Sequence, residues 1–174
     1  AEILKNGEEK KWLEKAEKLS ERINEFFWNE EKGAYTDIKI SDKKSTGILS
    51  PASFMPLYIG IAPKVRAERL AALAADKNAF YPLMPTVSYD NPSYSSSDYW
   101  RGPTWLNTAY FALKGLKDYG FTELAEDLRE HILNAVYNEK RGIYEYYDSK
   151  SGEGLGAFNF GWSAAFIIEF ILDF

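Results

Sequence analysis

The stretch PTWLNTAYFALKGLKDY, residues 103–119, decides the reading of this chain. It is apolar on nearly every helical face, so a helix formed here must be covered on most sides. Two other stretches share that character, PASFMPLYIGIA at 51–62 and GWSAAFIIEFILDF at 161–174. Pro56 falls near the first turn of the earlier one and blurs its start. Between the three lie segments of a different kind. Trp12, Leu13, Ala16, Leu19, Ile23, Phe26 and Phe27 recur at three- and four-residue steps among Lys and Glu, which predicts an amphipathic helix over 8–28 with a Glu14–Lys18 pair on its polar face. Pro63 opens a second, with Val65, Leu70, Leu73 and Ala74 as its stripe, ending near Asp76. Thr122 caps a third, with Leu124, Leu128, His131, Ile132 and Ala135.

The order is therefore outer, inner, three times over, with the inner helices starting 52 and then 58 residues apart. A period of that size predicts an all-α, helical-hairpin array. Trp28–Tyr35, WNEEKGAY, and Tyr137–Tyr144, YNEKRGIY, support it: both follow an outer helix and both carry a Gly suited to a left-handed helix end. The outer-to-inner loops are long (29–50, 77–102, 138–160) and the inner-to-outer turns are short, so all long loops emerge at one end. Such loops commonly carry function.

Composition narrows what that function can be. The 174 residues carry a net charge of −5, which argues against nucleic acid as partner, since phosphate binding needs a basic footprint. With no Cys and a single His, disulfides, thiol nucleophiles and multi-histidine metal sites are excluded, so neither metal nor cofactor is expected. No apolar run is long enough to span a bilayer, and Ala1–Lys18 has no apolar leader core, so no membrane partner is expected. Lys/Glu richness without Cys points to a cytoplasmic setting. Aromatics make up 16% of the chain and gather in the long loops: Tyr99, Trp100 and Trp105, then Tyr144, Tyr146, Tyr147, Phe158, Phe160 and Trp162. Stacking rings beside carboxylates and Gly/Ser/Asn suit a neutral polyhydroxylated ligand, a carbohydrate.

Alternation in GIYEYYD, 142–148, predicts a short extended segment holding Glu145. Glu145 reads as a catalytic carboxylate among water-excluding aromatics, or as a solvated hairpin Glu, and pattern alone leans slightly to the second. Its repeat equivalent is Thr36, so the repeat does not require the acid. YWRGPTWLN at 99–107 is the densest cluster: its Trp residues either stack on ligand or fill core, while Arg101 and Asn107 offer hydrogen bonds. GEGLG at 152–156 lacks the Lys-Ser/Thr of a phosphate loop. Asp90 and Asp98 read as turn residues and His131 as a partly buried, satisfied His.

YWRGPTWLN, GIYEYYD, GEGLG and FGWSA (160–164), in this order, closely resemble the C-terminal half of the catalytic domain of glycoside hydrolase family 63, which groups processing α-glucosidases with mannosylglycerate hydrolases and shares its plan with trehalases. The resemblance spans about 50–174. It implies that residues 1–174 form a single domain, half of an (α/α)6 barrel, and that the activity is inverting hydrolysis of an α-glucoside or α-mannoside. It implies Glu145 as the general base, with Tyr99, Trp100, Arg101, Trp105, Asn107, Tyr147 and Trp162 around the sugar. The family's general acid lies upstream of the matched region and has no counterpart in 1–50. The chain alone is then expected to be inactive, and to pair with itself or with an N-terminal half. The alternative is a non-catalytic carbohydrate-binding or helical interaction module.

Overall fold

A computed structural model describes residues 2–174. Its elements are α1 (Glu9–Phe26), β1 (Trp28–Asn29), β2 (Ala34–Tyr35), a 3-10 turn at Pro51–Phe54 leading into α2 (Met55–Tyr58), α3 (Lys64–Ala75), α4 (Leu106–Asp118), α5 (Thr122–Asn138), β3 (Tyr144–Tyr147), β4 (Gly154–Phe158) and α6 (Gly161–Leu172). The alternation of outer and inner helices is as the periodicity predicts. α4 is the hub: it packs against α2, α5 and α6 and buries Leu106, Ala109, Ala112, Leu113 and Leu116. α5 lays Ala125, Leu128, Ile132 and Val136 against the core.

Several expectations change. The first inner segment is much shorter than 51–62, one 3-10 turn and one α turn, because Pro56 occupies the start of α2 and the chain turns at Gly60. The apolar stripe of α3 is Ala67, Leu70, Ala71 and Ala74, and Val65 points to solvent. Glu14 pairs back to Lys10 at 3.9 Å. α5 starts at Thr122 but the hydroxyl makes no cap; Phe121 is the capping residue. Neither repeat glycine ends a helix: Gly33 turns the small β1–β2 hairpin, in which Trp28 pairs with Tyr35, and Gly142 precedes β3. Thr36, opposite number of Glu145, is buried with its hydroxyl 2.6 Å from Ser45 Oγ. His131 is exposed, its Nε2 2.8 Å from the Tyr81 hydroxyl.

The two terminal helices keep uncovered apolar faces. α1 has no buried residue, and Trp12, Leu13, Leu19 and Phe26 of its stripe stand exposed. It is held chiefly through Asn24, which bonds Ile61 O (2.9 Å) and accepts from Tyr35 and Arg66. α6 buries Ser163 and Phe170 while Trp162, Ile168, Ile171 and Leu172 face out. No helix among the described residues is long and apolar enough to cross a membrane.

Candidate active site

β3 and β4 are antiparallel, with a register shift between Tyr144 and Tyr146. Beside them, Thr104 bridges Tyr147 through paired backbone hydrogen bonds of 2.8 and 3.0 Å. That bridge joins the loop entering α4 to the strand that carries Glu145. Ser163 Oγ, in the first turn of α6, donates to the Glu145 carbonyl at 3.0 Å. The loops before α4 and α6 thus converge on one strand.

Trp105 is the centre of the resulting face. It is 2% exposed, stacked on Trp100 at 4.0 Å and on Tyr146 at 5.2 Å, both at 12° between planes. Its indole Nε1 donates to Tyr99 O at 2.8 Å, which satisfies a donor that burial would otherwise strand. Tyr99 stands edge-on to Trp100, Trp105 and Tyr146 at 5.1–5.8 Å, and Trp162 meets Trp105 at 6.3 Å. Tyr99, Trp100 and Trp162 are each close to half exposed, so the face is anchored by a buried ring and offers three open ones.

Glu145 lies at the edge of this face, half-buried. Tyr99 donates its phenol to Glu145 Oε1 at 3.1 Å, and the Ala157 N–H donates to Oε2 at 3.1 Å. The bond to the Glu145 carboxylate holds the Tyr99 phenol above its usual range. Gly156, at φ +76°, passes so close that a Cβ there would lie 2.7 Å from Glu145 Oε2.

Of the residues the sequence assigns to the site, Tyr99, Trp100, Trp105, Glu145 and Trp162 come together. Tyr147 does not: it is 1% exposed in the core beside Leu83, Leu106 and Ile132, its hydroxyl accepting from Tyr144 N. The register shift breaks strict alternation, so Tyr146 takes the place on the aromatic face. Arg101 pairs with the Asp98 carboxylate at the surface and shows no bond to Glu145. Asn107, in the first turn of α4, is half-buried and its side chain makes no hydrogen bond among the described residues. Sequence reasoning named Tyr146 only among the loop aromatics without assigning it to the site, and missed the roles of Gly156 and the Ala157 N–H. The glycines of GEGLG were the visible signal, since one of them is what lets β4 approach the carboxylate.

Two further carboxylates near this strand, Asp148 and Glu139, are engaged. Burial pushes the Asp148 carboxyl up, but the Ser151 N–H, the Ser96 hydroxyl and the Lys150 N–H outweigh it and hold it below the usual range. The Arg141 guanidinium, then the Gly154 N–H, hold Glu139 down to about 2.

Residues 1–163 match the family of mannosylglycerate hydrolase MGH1-like glycoside hydrolase domains. The chain belongs to this glycoside hydrolase family. A mannosylglycerate hydrolase of Rubrobacter radiotolerans is 34% identical over 96% of this chain and 39% of its own length. A solved structure, the family 63 mannosylglycerate hydrolase from Thermus thermophilus in complex with glucose, superposes with a TM-score of 0.75 at 35% identity, over 82% of this chain and 36% of that one. Neutral trehalase from Saccharomyces cerevisiae, 24% identical with a TM-score of 0.71 over 92% of this chain, shares the fold. The hairpin array is thus that of the (α/α)6 barrel proteins of this family and the trehalases, and the chain spans between about a quarter and two fifths of the length of the mannosylglycerate hydrolases it matches.

Proposed function

We propose that this chain supplies the general-base side of an inverting α-glycosidase site acting on an α-linked mannoside or glucoside. The observation that carries the reading is Glu145, a carboxylate gripped by two donors at the edge of an open aromatic face. The apolar C–H face of a pyranose packs on the half-exposed rings of Trp100 and Trp162, which have one apolar side to give. Glu145 takes a proton from a water. The water oxygen attacks the anomeric carbon from the face opposite the aglycone, the C–O bond breaks, and the leaving oxygen takes a proton from a second carboxyl.

That second carboxyl must hold its proton until needed, which requires a raised pKa, and it must lie ~6.5–9.5 Å from the base. Asp148 and Glu139 are shifted the wrong way, and Asp98 is held by Arg101. None of these three suits the role, and the reading places the acid in protein outside these residues, as the family resemblance implies. The uncovered faces of α1 and α6 are where further hairpins of the same plan pack, and where isolated chains associate with one another.

The test is a chimera in which this chain replaces the matching third of the Thermus thermophilus mannosylglycerate hydrolase. The folded chimera is expected to hydrolyse mannosylglycerate with inversion, seen as the first-formed anomer by proton NMR, and Glu145→Gln to lower kcat by at least a thousandfold. The chain alone is expected to bind methyl α-D-mannopyranoside weakly and to hydrolyse nothing. Sugar binding by a folded but inactive chimera would favour a non-catalytic binding module instead; full activity of the Gln variant removes Glu145 from the chemistry.

A further inference from the structure

Tyr99 has a left-handed backbone, φ +32°, although it bears a large side chain. Such a conformation costs on the order of 1–2 kcal/mol and persists only where the surroundings impose it. Here they do so from two directions. Trp105 Nε1 grips the Tyr99 carbonyl at 2.8 Å, and Arg101 N closes a turn onto Asp98 O at 2.6 Å. Just upstream, the loop is latched to the turn after β3: Ser96 Oγ donates to Asp148 Oδ2 at 2.7 Å, Ser149 N donates to Ser96 O at 3.2 Å, and the Tyr94 hydroxyl lies 2.7 Å from Ser149 Oγ. Ser149 is 2% exposed, so this latch is shielded from water. Residues 97–101 are thus strung between two anchors, and the product is a ring wedged edge-on among three aromatics with its hydroxyl on Glu145 Oε1.

A phenol has one proton to donate, and that of Tyr99 is used on the carboxylate. We propose that Tyr99 is a positioning residue for Glu145, its hydroxyl spent on the carboxylate and not on a sugar. Tyr99 and the Ala157 N–H each hold one carboxylate oxygen, so the carboxylate cannot rotate about its terminal torsion, and its remaining lone pairs point in one set direction. A general base needs that, because a displacement of about 1 Å in a reacting group lowers rate by about a hundredfold. The purpose of this positioning rests on the general-base reading above; the grip itself does not.

The test separates the two. In the chain itself, the Tyr99 ring is followed by NMR with 13C-labelled tyrosine. Its titration is expected above that of a free tyrosine and to fall back toward it in Glu145→Gln. In Tyr99→Phe, the Ala157 amide is expected to exchange with solvent at least tenfold faster, because the carboxylate it bonds has lost its other anchor, while the Thr104 and Tyr147 amides keep their protection. Affinity for methyl α-D-mannopyranoside is expected to change less than twofold in Tyr99→Phe and to weaken at least tenfold in Trp100→Ala. An unmoved Tyr99 titration, an unchanged Ala157 amide, or a tenfold loss of sugar affinity in Tyr99→Phe each overturns the proposal. Should Tyr99→Phe not fold, the Glu145→Gln titration decides alone. In the chimera, Tyr99→Phe is expected to lower kcat at least tenfold with KM within twofold, whereas a fall carried by KM overturns it. A chimera inactive even with Tyr99 in place sinks the glycosidase reading and leaves the solution results standing.

Discussion

Gly156→Ala and Gly60→Ala form a matched pair of perturbations. The backbone angles are nearly the same, φ +76° and +73°, so each alanine is forced into the left-handed region at a cost of about 1–2 kcal/mol. Their surroundings differ. A Cβ on Gly60 meets nothing within 4 Å. A Cβ on Gly156 would lie 2.6 Å from Tyr146 Cε1, 2.7 Å from Glu145 Oε2 and 3.0 Å from Glu145 Cβ. The Tyr146 ring cannot retreat freely, because it is stacked on buried Trp105. The carboxylate therefore withdraws by several tenths of an ångström, enough to break the 3.1 Å bond from Ala157 N, which is already near the long end for N–H···O. Losing a hydrogen bond to a charged group adds about 1.5 kcal/mol at the low end of the usual range, suited to a half-buried site. Gly156→Ala is expected to destabilise by about 3 kcal/mol and Gly60→Ala by about 1 kcal/mol. In a chain of this size, thermal unfolding followed by circular dichroism should then show Tm falling by about 6–12 °C and about 2–4 °C respectively. The Tyr99 titration should be disturbed in the first variant only. Equal Tm shifts for the two, or an unaltered Tyr99 in Gly156→Ala, would refute the claim that β4 is fitted against Glu145.

Three further outcomes are expected. Glu139 is held at about 2 by Arg141 and the Gly154 N–H, so its contribution to stability is fully present above pH 4.5, the usual value, and is lost as pH falls from there toward 2; the Tm gap between the wild type and Glu139→Gln should be constant at neutral pH and close between pH 4.5 and 2.5. Trp105→Ala removes the buried ring of the stack and should destabilise by about 3–5 kcal/mol in urea titrations; a cost below about 1 kcal/mol would mean the stack contributes little to folding. Sedimentation of the isolated chain at micromolar concentration should show association, reduced by replacing exposed Ile168 and Ile171 on α6 with Lys; a clean wild-type monomer would count against open barrel flanks.

Much of this architecture is written in one-dimensional pattern. α4 and α5 lie where apolar periodicity places them, and the alternation in GIYEYYD gives β3, because both signals depend only on neighbours along the chain. The clustering of Trp100, Trp105 and Glu145 was likewise legible, since long loops all leave one end of a hairpin array. What the pattern could not hold was which side of a residue ends up covered. Tyr146 and Tyr147 are adjacent tyrosines that any strand sends to opposite faces, and it took the register shift around Glu145 to put Tyr146, not Tyr147, on the side of the carboxylate. Trp105 and Trp162 read alike in sequence, yet one is the buried ring of a sandwich and the other an open platform. The stripe of α1 is as periodic as that of α5, but only Ile23 of it packs on the core, and Trp12, Leu13, Leu19 and Phe26 stay exposed. Periodicity states that a face is apolar, whereas burial is a property of the element across from it; the partners of Glu145 are set in the same way, by loops distant in sequence that meet only once the helices have packed.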